Sequence, residues 1–216
     1  MRQYRAVAEM AIRYVAKSAM KLWTIQTVPA WQSLQEHGYL RGQRRHADRD
    51  FLPAYDWIAT QMRQRIGQPP SAHISVPIWA WHQYDGIHRK RPDLRSSGYL
   101  PTGTRGYRIG FTIPDSCVLL SDFELWHYAL DYWYLASSES DAEAFGLLNQ
   151  NLRCSWSNPP SDHRVNSTIE RSWHRMFDLH WHDPYVTAPR DEKSIQATLW
   201  QLDHSWIKTV DEFVAR

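Results

Sequence analysis

A chain of 216 residues, 43% of them hydrophobic, is long enough to bury a core of its own without metals or disulfides. A net charge of +2 gives no general electrostatic case for nucleic acid or a membrane surface, and two cysteines exclude a disulfide framework. The unusual count is 12 Trp, which signals either a heavily aromatic core, the commoner use, or a cleft whose walls stack on planar ligands.

Residues 1–19 are basic and weakly amphipathic and precede a further methionine, Met20, from which one patterned domain, 20–216, begins. An upstream start and an appended helix read alike here. The apolar runs fall far short of the ~20 residues that span a bilayer, and no signal segment is apparent; the expectation is a cytoplasmic protein without membrane contact. Residues 22–26 read as a strand. Trp31, Leu34 and Gly38 then mark a short helix with its glycine stop. Four arginines fall between Arg41 and Arg49, a pattern that is usually a solvated face and sometimes a phosphate-binding segment. Tyr55, Ile58, Met62 and Ile66 recur at helical spacing until Gly67 and two prolines end the helix. Residues 74–81, ISVPIWAW, alternate as a strand whose Pro77 predicts an edge position or a bulge. The segment 82–106, with Arg89, Lys90 and Arg91 and several glycines, reads as a mobile surface loop of the kind that carries substrate contacts.

The organising stretch is 107–130. Tyr107, Ile109, Phe111 and Ile113 share one face of a strand, Pro114 and Asp115 turn the chain, and Cys117 to Leu120 form a second apolar run, so two core strands are expected to meet at one tight corner. Ser121 and Asp122 can cap a helix that carries Leu125, Tyr128, Ala129, Tyr132 and Trp133. A further helix is predicted over 142–152. Ser167 with Glu170 has capping-box spacing and opens a short helix with Ile169, Trp173 and Phe177. His180, His182 and Asp183 would suit a metal on a strand, but no third and fourth ligands are evident and the stretch reads as a polar turn. Residues 194–202 alternate as a last strand, and Trp206, Val210 and Phe213 close the chain as an amphipathic segment. The fold expected from these elements is α+β, a single domain with a split, mostly antiparallel sheet flanked by short helices. No glycine-rich phosphate fingerprint, nucleophile elbow or CxxC is present.

The segments LWTIQ, W-x-x-L-x-x-x-G, PIWAW, VLLSDFELWH and KSIQATLWQL together resemble the uncharacterised bacterial family known as domain of unknown function 3841, over roughly residue 20 to the C-terminus. The order of elements is more distantly similar to ADP-ribosyltransferase-like domains, the DarT toxins among them. That resemblance implies an NAD or related nucleotide cofactor, transfer to nucleic acid or protein, Thr24, Gln26 and Trp81 as cofactor contacts, and Gln196, Asp122 and His127 as the catalytic set. Gln196 stands where those enzymes carry a glutamate, and a neutral amide cannot supply the negative charge or act as a base. The competing expectation is a non-enzymatic module for nucleic acid or protein, in which Trp23, Trp79, Trp81 and Trp126 stack on a partner and the segments Arg41 to Arg49 and Arg89 to Arg91 meet phosphates.

Overall fold

The computed structural model describes residues 18–150 and 152–216; the expected N-terminal extension lies outside them except for Ser18 and Ala19, and Ala19 already begins the first strand. That strand, β1 (Ala19–Thr27), runs into helix α1 (Val28–His37), where the Thr27 hydroxyl accepts from the Ala30 N–H and Gly38 closes the last turn at φ 78°. A short strand β2 (Tyr39–Arg41) and helix α2 (Leu52–Ile66) follow. Strands β3 (Ile78–Gln83), β4 (Arg105–Pro114) and β5 (Leu119–Asp122) lead into helix α3 (Phe123–Leu130). Helices α4 (Glu139–Leu148) and α5 (His163–Ser172) precede strands β6 (Ile195–Leu199), β7 (Gln201–Asp203) and β8 (Ile207–Val214).

Six strands form one sheet in the order β5-β6-β3-β1-β4-β8, every pairing antiparallel, and β2 with β7 makes a separate ribbon. The expected α+β class with a mostly antiparallel sheet is what the chain adopts, but the main sheet is continuous. Several local expectations change. β4 and β5 do not meet at a corner, because three strands separate them in the sheet and a 3-10 turn holding Cys117 joins them. Pro77 lies just before an interior strand, where a missing N–H costs no ladder bond. α3 stops at Leu130, and Tyr132 turns the chain with φ 60°. The helix expected at 142–152 runs over Glu139–Leu148, capped by Ser138. Asp162, not Ser167, caps α5, so the apparent capping box sits mid-helix. The terminal amphipathic segment is an edge strand on β4, since apolar spacing over so few residues does not separate period two from period 3.6.

The sheet's two faces bury different material. Leu22, Phe111, Ala80 and Ala197 point to one face and pack under α1 and the ribbon with Leu34, Leu40 and Leu202. Trp79 and Leu119 point to the other, where Ile58 and Met62 of α2, Leu125 and Trp126 of α3, Ile169 of α5 and Trp173 close over them. Most tryptophans belong to this second cluster, which explains much of their number.

At the rim of that cluster His174 lies edge-on to Trp57 with its Nδ1 3.2 Å from Arg65 Nη2. Burial, then Arg65, lowers its pKa from the ordinary value; burial, then Lys90 and Arg190, lowers that of His82. Both imidazoles are therefore neutral in the native protein at pH values where the unfolded chain has begun to protonate. Their contribution is complete above about pH 6.5 and is lost as pH falls toward the folded values. The urea midpoint should drop between about pH 7.5 and 5.5, and His174→Gln should flatten that slope. A midpoint that stays level or rises on acidification contradicts the assignment.

Candidate ligand-binding cleft

The Trp79 face is not covered throughout. Beside the helices, β1 and β4 present Lys21, Trp23 and Arg108 to a cleft of ≈ 1280 Å³ roofed by residues 84–99 and bounded on the helix side by Phe123 and Glu124. That volume exceeds the roughly 300–1,000 Å³ of ordinary small-molecule pockets, so the space admits an extended ligand.

Cross-strand register sets its floor. Trp23 lies opposite Trp81, and Trp81 opposite Gln196, so these side chains stand in one row across β1, β3 and β6. Gly110 is the β4 member of the row; a Cβ there would run into Thr209 Oγ1 and meet the Trp23 indole at 3.2 Å, so glycine makes room for the threonine on β8 and for the ring. Trp81 is flanked edge-to-face by Phe123 at 4.9 Å and Tyr84 at 5.1 Å, and Tyr84 meets Tyr99 at 5.8 Å between ring centroids. An aromatic wall therefore runs from α3 into the roof loop.

The roof is tied down at defined points. Arg108, 6% exposed, donates to Asp211 Oδ2 at 2.8 and 3.1 Å and to the Pro92 carbonyl at 2.5 Å. Ile87 N–H donates to Asp191 O, and Arg89 and Lys90 close a tight hairpin on Asp85 and Tyr84 through backbone bonds. Six Lys and Arg side chains line the cleft against three Asp and Glu. Arg89, Arg95 and Arg108 are paired with Asp85, Asp93 and Asp211; Lys21, Lys90 and Arg91 have no ion pair among the described residues. Lys21 rests its ammonium 5.2 Å from the Trp23 centroid, a weak exposed contact that a ligand can displace.

The six residues singled out by resemblance do not converge. Trp81 lines the cleft. Gln196 shares its face but is 5% exposed and outside the lining, and its Nε2 has no partner among the described residues; neither does the Ser121 hydroxyl beside it in register. His127 packs against Phe123 at 4.8 Å, one ring removed from Trp81. Thr24 and Gln26 point to the opposite face with Leu22, where Gln26 donates to Thr24 and Thr24 to the Trp79 carbonyl. Asp122, paired in register with Ile195 on that face, is fully committed. It accepts from Lys193 Nζ and Thr187 Oγ1, both at 2.7 Å, and caps α3. The strands that carry Gln26 and Gln196 are not adjacent either, because β3 lies between β1 and β6.

Of the two arginine segments only the second reaches the cleft. Arg41 stacks on Tyr39 and donates to Gln201, and Arg44 pairs with Asp56. Trp79 and Trp126 belong to the core. Lys21, Tyr84 and Arg108 are among the lining residues that motif reasoning passed over, whereas Glu124 was open to it as a carboxylate next to Asp122. The strand read at 22–26 stopped one residue short of Lys21, whose period-two spacing to Trp23 was present in the sequence; Arg108 gave no signal. His180 faces Arg190 across 3.1 Å, and among the described residues no three His, Cys, Asp or Glu side chains group as metal ligands.

The sheet, its helical cover and the loop-roofed cleft define an α+β protein with a cationic, aromatic-walled cleft. The chain belongs to the family described as domain of unknown function (DUF3841), whose model matches residues 21–208. No curated protein and no solved structure matches it. No helix among the described residues is long and apolar enough to cross a membrane.

Proposed function

We propose that the cleft binds a phosphate-bearing planar ligand, a nucleotide either free or as a unit of single-stranded nucleic acid. One observation carries the reading: an aromatic wall of Trp81, Phe123, Tyr84 and Tyr99 faces the same space as Lys21, Lys90 and Arg91, cations without ion pairs among the described residues. Rings supply stacking surface for a base and the ammonium and guanidinium groups meet phosphate, which is how strand-binding grooves are built. Binding of a labelled single-stranded oligonucleotide should weaken with salt. Lys90→Ala with Arg91→Ala should reduce that salt slope by about 0.7 for each phosphate that is no longer neutralised. Trp81→Ala should weaken binding by about 1–3 kcal/mol at every salt concentration. Affinity that ignores both salt and Trp81 would refute the reading.

A second reading, an ADP-ribosyltransferase-like fold using NAD, keeps one observation in its favour. Gln196, with an unpartnered Nε2, stands next to Trp81 in the cross-strand row, so a small movement of Trp81 or Phe123 would give a ribose hydroxyl access to the amide. On this reading NAD raises the melting temperature by mass action. The shift disappears in Gln196→Ala and persists in Gln26→Ala, whose side chain lies on the far face. Release of nicotinamide separates transfer from simple binding.

A further inference from the structure

Three acidic side chains line the cleft, and two are neutralised where they stand: Asp85 by Arg89 at 3.2 Å and Asp93 by Arg95 at 2.6 Å. Glu124 is the third. It is exposed, and its carboxylate has neither an ion pair nor a hydrogen bond among the described residues. An ionised carboxylate only accepts hydrogen bonds, as phosphate does, so Glu124 weakens phosphate binding at its own end of the cleft. It directly follows Phe123, the ring against Trp81, which places the acceptor beside the stacking surface, while Lys90 and Arg91 line the cleft from the 84–99 loop.

This polarity fixes what the ligand must offer. Resting on the nucleotide reading of the cleft, we infer that Glu124 is a specificity-determining residue that accepts a pair of adjacent hydrogen-bond donors from the ligand, orienting its ring end toward α3 and its phosphates toward the roof loop. Two parts of a nucleotide present such a pair: the N1–H and amino edge of guanine, and the 2′,3′-diol of a ribose. Both match the two oxygens of one carboxylate, and ligands without such a pair leave that charge facing their own acceptors.

Isothermal titration of the full chain with GMP, dGMP, AMP and dAMP distinguishes the sources. A guanine edge at Glu124 makes both guanine nucleotides bind about tenfold more tightly than both adenine ones. A ribose diol makes both ribonucleotides bind about tenfold more tightly than both deoxynucleotides. In either case Glu124→Ala and Glu124→Gln should collapse the preference, and the disfavoured nucleotides should bind the alanine variant as well as or better than the wild type, since a charge repelling phosphate is gone. If Glu124 serves only the first turn of α3, its substitution lowers the melting temperature slightly and leaves the ranking intact; that result overturns the inference. Equal affinity of the wild type for all four nucleotides overturns it while leaving the cleft reading in place, no binding of any of them overturns it, and the further absence of oligonucleotide binding removes the cleft reading too.

Discussion

Asp122→Ala should destabilise the protein by about 3–5 kcal/mol, because it leaves a buried ammonium without its counter-charge. Lys193 Nζ and the Asp122 carboxylate are 2.7 Å apart with both side chains 1% exposed, so water cannot replace the missing partner. The same carboxylate caps α3 by accepting from the Glu124 and Leu125 N–H groups, and loss of a cap adds about 1 kcal/mol. Thr187 loses its acceptor as well. Combining Asp122→Ala with Lys193→Met should recover much of the loss, since the dominant cost is the orphaned charge rather than the absent attraction. Urea unfolding of the two single variants and the pair forms the test. A single-variant loss below about 1 kcal/mol would mean that Lys193 escapes to solvent and that the pair is not the lock on this end of the sheet.

Trp173→Ala is expected to cost a similar amount, about 3–5 kcal/mol, through a cavity that the surrounding rings cannot fill. Trp173 is fully buried, meets Trp57 and Tyr132 edge-on at 5.3 and 5.2 Å and Trp156 at 5.4 Å, and donates its indole N–H to the Trp133 carbonyl at 2.6 Å. Rigid rings fixed by several neighbours relax little into a void. Trp173→Phe keeps most of the volume but strands that carbonyl, for a smaller loss of about 1–3 kcal/mol. Trp133→Ala is the control: its ring is 57% exposed, and its removal should change stability by no more than about 0.5 kcal/mol. Equal losses for Trp133 and Trp173 would mean that this cluster is not the core that holds the helices to the sheet.

Trp173 and Trp133 also show how far a residue count reaches. The number of tryptophans was open in the sequence, and so was their commoner use in a core, yet which ring is buried depends on Tyr132 leaving α3 with a positive φ. Nothing in the local pattern announced that turn, so the helix was expected to continue to Trp133. The cleft divides in the same way. The basic, glycine-rich segment at 82–106 was legible as a surface loop with Arg89 to Arg91 as its charge, and residues within 84–99 of it line the cleft. That Arg41 to Arg49 belongs elsewhere follows from β2 pairing with β7, which joins segments about 160 residues apart.

By itself the sequence determined the α+β class, most strands to within a few residues, the Gly38 helix stop and the Asp122 cap, because period-two alternation and capping act over a few neighbouring residues. Only the tertiary structure decided which residues share a site. Side chains in a strand alternate between faces, and pairing partners fix which parity faces which cover. Thr24 and Gln26 therefore lie back to back with Trp81 despite belonging to the same region of the sheet. The strand order then set Trp23, Trp81 and Gln196 in one row under a loop tied by Arg108, an arrangement that long-range pairing creates and local pattern does not encode.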